Sequence, residues 1–97
     1  MTMKRQGDLL IVSVESIPEG AKKLGHKILA EGEATGHLHE LNSGELYKKN
    51  ENLYFRVSDE PATLMHPEHA PLAFVPGVYQ VIRQREYEPK AWRYVCD

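Results

Sequence analysis

The chain has 97 residues, of which 41% are hydrophobic and 27% charged, with a formal net charge of −2. Those values fit one soluble domain, expected to span residues 1–97, and exclude a general nucleic-acid or anionic-membrane binder. The lone cysteine, Cys96, leaves no internal disulfide and fits a reducing compartment. The apolar run Leu9 to Val14 is fenced by Asp8 and Glu15, too short for a signal-peptide core or a membrane span, so a cytoplasmic location is expected.

In chain order, Asp8 to Glu15 predicts a strand with both faces largely apolar, and so a central one. Ile17-Pro18-Glu19-Gly20 ends it in turn chemistry. Ala21 to Gly25 reads as a loop or a single helical turn, and the neighbouring His26 has no assigned role. Lys27 to Glu33 predicts the next strand, Thr35-Gly36 a corner, and His37 to Leu41 a continuation in a new direction. Asn42-Ser43-Gly44 reads as a hairpin loop into Glu45 to Lys49, and Asn50-Glu51-Asn52 as a loop into Leu53 to Ser58. With those loops, Tyr47 opposes both His39 and Phe55. His37, His39, Leu41, Leu53, Phe55 and Val57 then share an apolar face, and Glu40, Lys48, Arg56 and Ser58 a solvated one. Ala62 to Met65 is a short strand stopped by His66-Pro67, and residues 66–71 form an irregular segment or an edge, because proline removes a backbone donor. Leu72 to Val75, Val78 to Tyr87 and Trp92 to Val95 complete the set. About eight short antiparallel strands with turns at this spacing predict an all-β fold, a single small barrel or sandwich.

Four of the five histidines fall into two tight pairs, His37/His39 and His66/His69. Residues two apart on a strand project to the same side. Neutral imidazole is the commonest protein metal ligand, and a metal would satisfy two buried imidazoles together. His37, His39, His66 and His69 are therefore the candidate metal ligands for a divalent ion (zinc, iron or manganese), with His37 and His39 as the core of the set. Four imidazoles would close a tetrahedral site of the structural zinc type. Three, with water or with Glu33 or Glu68, would leave an open position. The sequence assigns no catalytic residue. On a flat meander the two pairs would stand roughly 14 Å apart, at about 4.8 Å per strand, so the sheet would have to curl to join them.

The run containing Gly32, His37-Leu38-His39 and Glu45 resembles the first motif of the cupins, small β-barrels that hold a divalent metal inside the barrel. Each spacing differs from that motif by one residue, and Pro76-Gly77, placed as in the family's second motif, has no histidine after it. The resemblance implies a metal site at His37 and His39, with Glu45 in the third position, and no particular activity. The chain also looks like small bacterial and phage proteins of unassigned function. A reading from another class is a non-catalytic protein-interaction module with structural or incidental histidines. A sheet edge, or the C-terminal surface mixing Arg83, Arg85, Tyr87, Trp92, Arg93 and Tyr94, would then bind a protein partner. Exposed edges on so small a domain also admit a homodimer.

Overall fold

The computed structural model describes residues 3–31 and 36–83. These form ten strands and no helix: β1 (Met3–Gln6), β2 (Leu9–Val14), β3 (Lys22–Lys23), β4 (Ile28–Glu31), β5 (Leu38–Leu41), β6 (Glu45–Lys49), β7 (Asn52–Val57), β8 (Ala62–His66), β9 (His69–Phe74) and β10 (Gly77–Arg83). A six-stranded sheet runs β1-β2-β10-β7-β6-β3 and a four-stranded sheet β4-β5-β8-β9, with antiparallel pairing throughout. The all-β expectation holds. As its two apolar faces require, β2 is an interior strand, between β1 and β10. The expected strands beyond Arg83, together with Cys96, Gly32, Glu33 and Thr35, lie outside the described residues.

Inward residues of both sheets build one core. It includes Leu9 and Ile11 of β2, Leu41 of β5, Leu46 of β6, Phe55 and Val57 of β7, and Leu64 of β8. Phe55, Phe74 and Tyr79 meet ring to ring, with centroids 5.0 to 5.4 Å apart. Phe74 comes from the smaller sheet and the other two from the larger, so this triad ties the layers together. The Tyr79 hydroxyl escapes burial without a partner by donating to the Val75 carbonyl at 2.7 Å.

Several local expectations need correction. The segment 42–44 is not a hairpin loop, because β5 and β6 belong to different sheets. Asn42 remains tied to β8: its N–H donates to the Thr63 carbonyl, and its side-chain oxygen accepts from the Thr63 N–H at 2.8 Å. Gly44 then turns the chain across to the other layer, at φ 101°, where an added Cβ would stand 2.8 Å from the Arg56 carbonyl oxygen. The next loop holds two residues, Asn50-Glu51, so Leu46 rather than Tyr47 opposes Phe55 and Tyr47 opposes Tyr54. Asn50 takes the positive φ of 56° that this tight turn needs. The stretch 21–25 contains the short strand β3, paired with β6, in place of a helical turn. Residues 66–71 belong to the β8–β9 hairpin, whose register shifts between Leu64 and His66, and β9 with its Pro71 is a sheet edge, as its composition predicts.

The inward and outward assignment along β7 survives, but the shared face does not. β5 and β7 belong to different sheets, and Lys48 pairs with Leu53 and so lies on the face of Leu53 and Phe55. Phe55 and Val57 are buried, while Glu40, Lys48, Arg56 and Ser58 are exposed. Phe55→Ala is expected to cost about 3–5 kcal/mol in urea denaturation, from lost burial plus the cavity. Arg56→Ala is expected to change stability by less than about 0.5 kcal/mol. Equal losses would contradict the placement of β7.

Candidate functional site

The four candidate histidines meet. Glu40 pairs with Met65 and Leu41 with Leu64, and this register continued one residue outward sets His39 of β5 opposite His66 of β8. The two-residue loop Pro67-Glu68 then returns the chain so that His66 pairs with His69 of β9. His37 stands one residue ahead of β5. Ring centroids are 4.2 Å apart for His39–His66, 4.6 Å for His66–His69, 5.7 Å for His37–His66 and 6.0 Å for His39–His69. His66 is the hub, since its ring meets the other three. No curling of the sheet is needed to join the pairs. β6 and β7, which separate them in sequence, belong to the other layer, so β5 and β8 are direct neighbours.

The floor of the cluster comes from the six-stranded sheet. β1 turns into β2 through Gly7-Asp8, with Gly7 at φ 61°, as a glycine-first hairpin turn requires. A Cβ on Gly7 would stand 3.0 Å from His69 Nε2 and 3.3 Å from His39 Cε1, so the turn lies directly against these rings. Gln6 and His39 are the buried polar side chains of the described residues, and they bond to each other: His39 Nδ1 lies 2.8 Å from Gln6 Oε1. Gln6 Nε2 donates to the Leu64 carbonyl at 3.0 Å and to the Ala70 carbonyl at 2.9 Å. From sequence, Gln6 and Gly7 have no assigned role and Asp8 is marked only as the start of a strand. A glycine-containing pair just before Leu9 was a hairpin signal that could have placed them.

Burial and crowding disfavour the charged forms of His39 and His66. The pKa of His39 is lowered from 6.5 to about 4, first by loss of water around the ring and next by His66. Asp8 opposes the shift, while His69 and Arg83 add to it. His66 is shifted down as well, by loss of water and then by His69 and His37, against Glu68 and Asp8. Asp8 is held by Arg83, whose Nε lies 3.4 Å from its carboxylate and whose Nη2 donates to the Glu31 carbonyl. At the rim, Glu68 approaches His37 Nδ1 at 3.6 Å, and its N–H donates to His66 Nδ1 at 3.0 Å.

Neutral imidazoles can ligate a cation, relay a proton or hydrogen-bond a ligand. Among the described residues, no group of three or more His, Cys, Asp or Glu side chains is arranged to hold a metal ion as it stands. Glu45 is excluded from the cluster by its place on β6, where it bonds to Lys23 and Tyr47 and approaches Arg56. His26, outside the cluster, accepts a hydrogen bond from the Ile28 N–H. No helix of the described residues is long and apolar enough to cross a membrane.

Fold and site together define an all-β protein of two antiparallel sheets with a histidine cluster at their seam. The chain belongs to the family described as Domain of unknown function (DUF8820), whose model matches residues 5–84. No curated protein and no solved structure matches it.

The lowered pKa sets a direction for stability. The unfolded chain protonates His39 near pH 6.5 and the folded chain only near pH 4, so between these values the unfolded state binds more protons. Stability from His39 is complete above pH 6.5 and lost as pH falls toward 4, by at most about 3 kcal/mol. Urea midpoints of metal-free protein are expected to fall across that window, and His39→Gln is expected to flatten the profile. A flat profile in the unsubstituted chain would show that the ring is accessible to protons when folded.

Proposed function

We propose that this protein binds a divalent transition-metal ion through His39, His66, His69 and His37. The supporting observation is the meeting of four imidazoles from separate places in the chain, at centroid separations of 4.2 to 6.0 Å. Imidazoles sharing one tetrahedral ion at about 2 Å would have centroids about 5 Å apart. Loading an ion therefore needs rotation of side chains more than movement of strands. His69 is exposed and His37 half-buried, so the rim half of the set has room to turn. Zinc suits an all-imidazole set best; iron and manganese are the alternatives. With His37 as the fourth ligand the site closes and serves structure, whereas water in that position would open it to a substrate.

A second reading is a non-catalytic interaction module in which the rings only pack. It is favoured by the outer face of β5 and β8, where Leu38, Glu40, Pro67 and the 48% exposed Met65 line a shallow depression of about 470 Å³ beside His37 and His66.

Elemental analysis and calorimetry on protein without a histidine tag separate the two. One zinc per chain is expected. His39→Ala and His66→Ala should each weaken binding at least about tenfold, and His26→Ala should leave it unchanged. No uptake of zinc, iron or manganese would sink the metal reading, as would a loss confined to His26→Ala.

A further inference from the structure

We infer that Gln6 is a positioning residue: it holds the proton of His39 on Nδ1, so that His39 takes a ligand through Nε2. The choice of ligand rests on the metal-binding reading, while the proton placement rests on hydrogen bonds alone. A glutamine amide has one acceptor oxygen and a donor NH2 group. Both Gln6 donors are spent on carbonyl oxygens, those of Leu64 and Ala70, at 3.0 and 2.9 Å. A flipped amide would press Oε1 against both of these acceptors. Oε1 is therefore the atom that meets His39 Nδ1, at 2.8 Å, and an acceptor there requires Nδ1–H. A neutral ring protonated at Nδ1 has its lone pair on Nε2.

His66 has the opposite arrangement. Its Nδ1 accepts the Glu68 N–H at 3.0 Å, so in the neutral ring the proton sits on Nε2. The two closest rings of the cluster thus hold their protons on different nitrogens. His39 is a ready ligand, and His66 becomes one only by giving up Glu68 or by turning its ring. This accounts for a cluster in which the rings are gathered and the donors are not yet assembled. It also makes His39 the first ligand to engage. Partners that orient a ligating histidine in this way typically contribute 10- to 100-fold in metal affinity.

The test begins on the unsubstituted, metal-free chain at neutral pH. Two-bond nitrogen–proton NMR correlations are expected to show His39 protonated at Nδ1 and bare at Nε2. An Nε2–H ring would overturn the inference. Two variants then separate positioning from plain structural support. Gln6→Leu removes the acceptor and should give a mixture of His39 tautomers, with zinc affinity lowered 10- to 100-fold. Gln6→Glu keeps an acceptor for Nδ1–H but sets an oxygen against two carbonyls. It should lose stability while keeping the tautomer and, to within about threefold, the zinc affinity. Equal affinity losses in both variants, following stability, would overturn the positioning role. If the unsubstituted protein takes no zinc, the metal reading fails by itself, and the tautomer still decides on Gln6. A Leu variant with His39 unchanged at Nδ1–H counts against it, and a mixed tautomer counts for it.

Discussion

The hydrogen bond between His39 Nδ1 and Gln6 Oε1 joins the two sheets through their buried polar side chains. Left unmade, each buried polar group would cost about 1–3 kcal/mol, and Gln6 satisfies groups on three strands at once. Its neighbours are arranged around it. The β8–β9 register shifts between Leu64 and His66, interrupting the pairing where Gln6 Nε2 reaches the Leu64 carbonyl. Gly7 follows because the chain must turn at once against two imidazole rings, at a positive φ. Lys4, two residues earlier on β1, adds a bond from its ammonium to the Ala73 carbonyl, a second tie from β1 to β9 beside that of Gln6 to Ala70.

β9 links the two kinds of ring in this protein. It begins at His69 in the imidazole cluster and ends at Phe74 in the aromatic triad, roughly 17 Å on at about 3.3 Å per residue. The triad is apolar and lies within a core shared by both layers, so it holds the sheets together by burial. The imidazole end holds them by directed hydrogen bonds. The two ends thus tie the layers by different means, burial at one and the Gln6 bonds at the other.

Strand existence and facing were legible in the sequence because they are local. Alternation along β7 puts Phe55 and Val57 inside and Arg56 outside whatever strand lies beside it. The same alternation sends His39 inward with Leu41. Sheet membership was not legible. Asn42-Ser43-Gly44 has the composition of a hairpin loop, and only contacts with Thr63 and Arg56, distant in sequence, make it a crossing. The histidine pairs could be joined as candidates by residue type, but not the way they meet, which depends on β5 lying beside β8. Gln6 was missed because its role lies wholly in bonds to residues more than thirty positions away. Its own neighbourhood, Lys4-Arg5-Gln6-Gly7, gives no sign of burial.

Stability alone does not favour packing four imidazoles together. The depressed basicity of His39 and His66 follows from lost hydration and from the repulsion that a proton there would meet from its neighbours. Apolar side chains of similar volume often replace buried polar clusters at no cost, or with a gain. Natural sequences break such local rules mainly where function requires it. The cluster is also divided in a useful way. His39 is buried and fixed by Gln6, whereas His69 is exposed and His37 lies at the rim. A fixed first ligand would lower the ordering cost of binding an ion, leaving the more exposed rings to complete the shell. An ion held by His39, His66 and His69 would tie β5, β8 and β9 together and, through Gln6, fasten β1 of the opposite sheet. Its binding energy would then act at the seam between the two sheets, which is how ligation becomes folding stability.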